Sequence, residues 1–175
     1  MKMFKKIMAV ALVGVMALSM LTGCAVTNAI IEDKAETALE NAWSTEKKEV
    51  VNFKSGKFTG KEAYKKTKKD VEEGKIKVKE GEATLSTYSD KDYAVVVVAE
   101  PSSAKKVKNW NGLAKTVLET AKWNNEGGIY LDGTNSKSAK VDIVTGIKGK
   151  NAEDDSKTDT YTIFVFAKTK DAYNK

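Results

Sequence analysis

The 175-residue sequence predicts an α+β fold, an antiparallel sheet with helices packed on one face. Three observations carry that expectation. Between residues 103 and 123, Val107, Trp110, Ala114, Val117, Leu118 and Ala121 mark one side of a helix at steps of three and four. YAVVVVA (93–99) and TYTIFVFAKT (160–169) hold apolar runs of strand length, as expected for strands inside a sheet. Helical and strand-like stretches also follow one another in two similar successions, each a helix and then three strands.

The elements read as follows. Thr27 is placed to cap a first helix reaching Trp43, with Ile31, Ala35, Ala38, Leu39 and Ala42 as its apolar stripe. Val50, Val51 and Phe53 suggest a brief strand within 44–57. Thr59 or Gly60 opens a second helix, in which Tyr64, Thr67 and Val71 share a face and Gly74 supplies the stop. GKIKVKEG and EATLSTYS alternate as strands do, SDKD turns the chain, and DYAVVVVAE runs to Pro101. Ser102 or Ser103 is placed to cap the third helix, which Gly112 weakens by about 1 kcal/mol relative to alanine. GGIYLDG, SAKVDIVTG and TYTIFVFAK complete the second succession. Paired helix-plus-three-strand units resemble, in topology alone, the fold of the beta-lactamase inhibitory proteins, and that likeness implies no residue roles and no activity.

The N-terminus has a different character. Lys2, Lys5 and Lys6 precede an apolar run, Ile7 to Leu21, interrupted only by Ser19. Charge followed by a run of this length is the order of an export signal, and the run is short of the roughly 20 residues that span a bilayer. No Ala-x-Ala-like site follows; Leu21-Thr22-Gly23-Cys24 does. That tetrad resembles the lipobox of bacterial lipoproteins. The resemblance implies a diacylglycerol thioether on Cys24, cleavage before it, and attachment to the extracytoplasmic face of the cell membrane. Ala25 stands where the family's aspartate signal for inner-membrane retention would be, so the outer membrane is open in a host that has one. The expected divisions are a lipoprotein signal peptide at 1–23, a lipidated N-terminus with first helix and connecting segment at 24–57, and an α+β domain at 58–175.

Composition narrows the chemistry. Removing 23 residues from 175 leaves 152, enough for one ordinary domain. Taking three lysines from thirty leaves 27 against 24 acids, a net charge of +3 that disfavours nucleic acid as a partner. Every basic residue is lysine, so the bidentate guanidinium fork is absent. With no histidine and one cysteine, Ser-His-Asp and Cys-His nucleophile systems cannot be built, and neither can histidine- or thiolate-based metal sites. No cofactor and no metal are expected.

Carboxylate pairs remain for catalysis. The loop NAEDDSKTD concentrates Glu153, Asp154, Asp155 and Asp159, but lacks the alternating acids, glycine and distal glutamate of a calcium loop, so a solvated hairpin is expected. Lys65, Lys68 and Lys69 lie on one side of the second helix, diluted by Glu72 and Glu73, and read as a solvated face. Ser102 and Ser103 beside Lys105 and Lys106 sit at a wet helix start, unsuited to a Ser-Lys dyad. Trp43 and Trp123 end helices beside polar runs and form the candidate binding surface, whereas Trp110 lies on the apolar stripe of the core. These readings predict a membrane-tethered, non-enzymatic module that binds an envelope protein or polymer. The alternative is an envelope glycan-acting enzyme with two facing carboxylates about 5–9.5 Å apart.

Overall fold

The computed structural model describes residues 26–123 and 128–175. The expected signal peptide, 1–23, and the expected lipidation site, Cys24, lie outside the described residues. Helix α1 covers 26–47, four residues beyond Trp43, and is already helical at Val26, so Thr27 lies within the helix. Strand β1 (Val51–Ser55), helix α2 (Glu62–Glu72) and strands β2 (Ala83–Leu85) and β3 (Tyr93–Ala99) follow. Helix α3 (Val107–Thr120), strands β4 (Lys137–Lys150) and β5 (Thr158–Ala167) and the short helix α4 (Lys170–Tyr173) complete the chain.

The strands form one sheet in the order β1-β4-β5-β3-β2. The α+β class holds, with helices packed against that sheet. Two finer expectations are corrected. The sheet is mixed, because β1 joins β4 in parallel while the other ladders are antiparallel. Helices also cover both faces. Alternate residues of a strand point to opposite sides, and β3 is buried at all seven positions. Ala94, Val96, Val98, Phe164 and Phe166 share a core with α1 and α3. Val95, Val97, Ile163 and Val165 share a second core with α2 and α4. Val95 and Val97 therefore lie on the far side of the sheet from α3.

The helix-plus-three-strand units are corrected as well. GKIKVKEG and GIYLDG reduce to single bridges, Glu80 with Ala99 and Asp132 with Ser138. The lysine alternation in 75–79 serves packing instead of a ladder. Val78 enters the α2-side core while Lys77 and Lys79 pair with acids of the β4–β5 loop. Each unit is a helix with two strands, and α2 and α3 lie on opposite faces.

Two glycines shape β4. Thr145 and Gly146 together face Thr162, forming a bulge at which Gly146 takes φ +76. The extra residue reverses the side-chain alternation, which is why Ile143 joins the α1/α3 core and Ile147 the α2 core. Gly149 permits close approach of α2. A Cβ there would lie 2.7 Å from the Val71 carbonyl oxygen and 2.9 Å from the Tyr161 ring. Gly149→Ala is expected to cost about 1–3 kcal/mol through overpacking, measured by urea unfolding of the 25–175 fragment.

Local chemistry sets the helix ends. Gly74, at φ +71, closes α2 with hydrogen bonds from its own amide to Val71 O and from Lys75 N to Asp70 O. Helix α3 begins at Val107 with Lys106 at its N-cap, and Ser102 and Ser103 belong to the preceding turn.

Candidate functional site

The tryptophans expected at a binding surface are core residues. Trp43 is 3% exposed and Trp123 8%. Their rings meet edge to face with centroids 5.0 Å apart, and Trp43 also meets Phe53. Lys47 lies over the outer side of Trp123, 4.9 Å from the ring centroid. Each indole supplies the apolar area that the other covers, so no stacking platform is left at this end of α1. Trp110 is buried as expected, its indole N–H donating to Ala104 O at 2.6 Å.

The NAEDDSKTD loop is internally satisfied. Asn151 Oδ1 accepts the amides of Glu153 and Asp154, and its Nδ2 donates to Asp159. Asp154 accepts from the Ser156 hydroxyl and amide and pairs with Lys157, which together hold its carboxyl below the usual range, the hydroxyl contact leading. Asp155 is lowered chiefly by its hydrogen bond from Lys77. Among the described residues no group of three or more side chains is arranged to hold a metal ion.

The lysines of α2 are likewise engaged. Lys65 pairs with Glu62, Lys68 with Glu72, Lys69 with Glu73, and Lys66 lies over the Tyr88 ring. Exposed pairs at these spacings contribute only a few tenths of a kcal/mol each, but they cancel much of the local positive field.

A polar depression of about 370 Å³ lies between the 79–82 segment, the end of β3 and the β4–β5 hairpin. Glu80, Glu82, Glu100, Glu153 and Asp159 line it against a single lysine, Lys79. Glu80 Oε1 accepts the amide and hydroxyl of Ser102 at 2.7 and 3.0 Å. Glu100 Oε1 accepts the Gly146 amide at 2.7 Å and the Thr162 hydroxyl at 3.2 Å, so it holds the bulge in place. Glu153 pairs with Lys79 at 3.1 Å and Asp159 accepts from Asn151. Glu82 is the lining carboxylate with no hydrogen bond or ion pair among the described residues. Four of the five acids are thus engaged as acceptors of turns and hairpins, and no aromatic ring lines the floor. The arrangement presents a carboxylate-rich surface suited to polar or cationic contact.

Sequence reasoning singled out Glu153 and Asp159 through their loop but missed Glu80, Glu82 and Glu100. Each is an ordinary acid beside a turn or strand end, and only the sheet topology assembles them.

Two carboxyls raised above the ordinary value of 4.5, Glu32 and Glu36, lie on α1 and do not line this depression. Burial is the main cause for both. The charge of Asp142 adds to it at Glu32, and those of Glu40 and Asp33 at Glu36. A folded-state value above the unfolded one means that the group favours folding at low pH and loses that contribution as pH rises through the raised value. Glu36→Gln is therefore expected to stabilise the fragment at pH 7 by a few tenths of a kcal/mol, in line with relief of like charges on one helix face. The difference should vanish below pH 4.5, and melting curves at the two extremes check it.

Comparison with protein-family models, with curated proteins and with solved structures finds no match to this chain.

Proposed function

We propose that this chain is a lipoprotein held by lipid on Cys24 at the extracytoplasmic face of the cell membrane, or of the outer membrane where the host has one. Its sheet domain acts there as a non-enzymatic binding module for an envelope protein or polymer. The observation that carries the reading is the order of the N-terminus: three lysines, the apolar run Ile7 to Leu21, then Leu21-Thr22-Gly23-Cys24. Attachment in this reading belongs to the lipid. No helix among the described residues is long and apolar enough to cross a membrane.

The acidic depression is the surface best suited to the partner. Five carboxylates against one lysine, in a chain that is otherwise basic, favour a partner presenting amines. The test is retention of purified envelope polymer and of solubilised envelope proteins on the immobilised 25–175 fragment. Salt-sensitive retention that Glu82→Lys weakens, with the retained material chemically unchanged, supports the reading. Release of new reducing ends from envelope glycan by the wild-type fragment would contradict it in favour of an enzyme.

A further inference from the structure

We infer that the first turn of α1 rests in the headgroup region of the membrane, with Val26, Ala29 and Ile30 as the contact face. The inference deepens the anchoring reading above and rests on it.

Among the described residues the large hydrophobics left in water are Val26, 60% exposed, Ile30, 41% exposed, and Val50. Two of these three lie within six residues of Cys24. Val26 and Ile30 are one helical turn apart and so lie on the same side of α1, and Ala29, also exposed, is beside them. The apolar exposure then stops abruptly. From Ile31 onward the apolar residues of α1 (Ile31, Ala35, Ala38, Leu39, Ala42 and Trp43) are buried, and its exposed positions are polar, beginning with Asp33. An apolar first turn ahead of an otherwise polar outer face suits a helix that starts beside a lipid.

The reach agrees. Two residues of extended chain span at most about 7 Å, and one turn of helix adds about 5.4 Å. Apolar faces of interfacial helices settle about 5–10 Å into the boundary between headgroups and acyl chains, where a glyceride-linked sulfur would also be held. Nor does the start of α1 hang free of the domain. The Asn28 side chain packs against Gly146 at the β4 bulge, where an added Cβ would come within 3.2 Å of it. Insertion of Val26 and Ile30 would therefore fix the orientation of the whole sheet, with the β4 bulge toward the bilayer.

The experiment uses the full chain carrying Ile30→Cys. Its Cys24 sulfur is consumed by the thioether, so residue 30 offers the free thiol for a nitroxide label. The processed protein is reconstituted in vesicles of phosphatidylethanolamine and phosphatidylglycerol, and label accessibility to oxygen and to a water-soluble nickel chelate is compared with that of Asn41→Cys, an exposed position farther along α1. The expected result is loss of chelate access and retention of oxygen access at position 30, with full chelate access at 41; Ala29→Cys should repeat it if Ile30→Cys folds poorly. Equal chelate access at both positions, with the lipid confirmed by mass, would overturn the inference while leaving the anchor intact. Protection of position 30 in the lipid-free 25–175 fragment would also overturn it, by revealing a protein contact instead. A chain lacking lipid altogether would instead remove the anchoring reading on which the inference rests.

Discussion

Val117→Asp is expected to destabilise the domain by several kcal/mol, a large part of the about 5–15 kcal/mol available to a domain of ordinary stability. Val117 has no exposed surface and sits on α3, in the core shared with Val96, Phe164 and Trp110. Trp110 packs edge to face on Phe164, which stacks on Phe166, so this side of the sheet offers an aromatic and aliphatic lining. A carboxylate placed there loses its hydration and gains no cation or amide in exchange. The variant would hold its carboxyl well above the usual range, so its deficit should shrink as pH falls and the neutral acid forms. Thermal melting of the 25–175 fragment at neutral and acid pH measures both effects. A loss below about 1 kcal/mol would show that α3 does not seal this face.

The second large effect is all-or-none. Cys24→Ala is expected to abolish lipid attachment and signal cleavage together, leaving an unprocessed chain of 175 residues. The physical argument concerns both the sulfur and the chains it carries. Without the sulfur no thioether can form, and the lipobox resemblance places the cleavage immediately before that same residue. One acyl chain anchors only marginally, and two make release slow, because each buried methylene contributes about 0.8 kcal/mol. Gel mobility, incorporation of labelled fatty acid and membrane fractionation follow the two forms. A mature-size, lipid-labelled product from the alanine variant would contradict the lipobox reading.

Sequence pattern and structure agree where one local period decides the outcome. The stripes on α1 and α3 were legible because Ile31, Ala35 and Leu39, and Trp110, Ala114 and Val117, recur every three or four residues and are all buried. YAVVVVA was legible as an interior strand for the same reason, since no position in it tolerates water. Which helix covers which side was not legible. An uninterrupted apolar strand requires cover on both faces but carries no record of its source, and α2, with its lysine-rich outer side, supplies the second cover through Ala63, Tyr64 and Val71. The parallel addition of β1 to β4 joins residues more than eighty positions apart, and no local signal encodes that.

The same distinction separates the site residues. Trp43 and Trp123 stand beside polar runs, which suggests exposure, yet they bury one another across a long sequence separation. The acids of the depression come from the 79–82 segment, the end of β3 and the β4–β5 hairpin, and become neighbours only once β5 lies beside β3. The proposed lipobox rests by contrast on local information alone: charge, apolar length, small residues and a cysteine in one order.

Mass spectrometry of the intact protein from the membrane fraction tests the central claim most directly. The account predicts a 152-residue chain that begins at Cys24 and carries a diacylglyceryl mass on that residue. A membrane-fraction chain that retains residues 1–23, or one whose Cys24 bears no lipid, would contradict it.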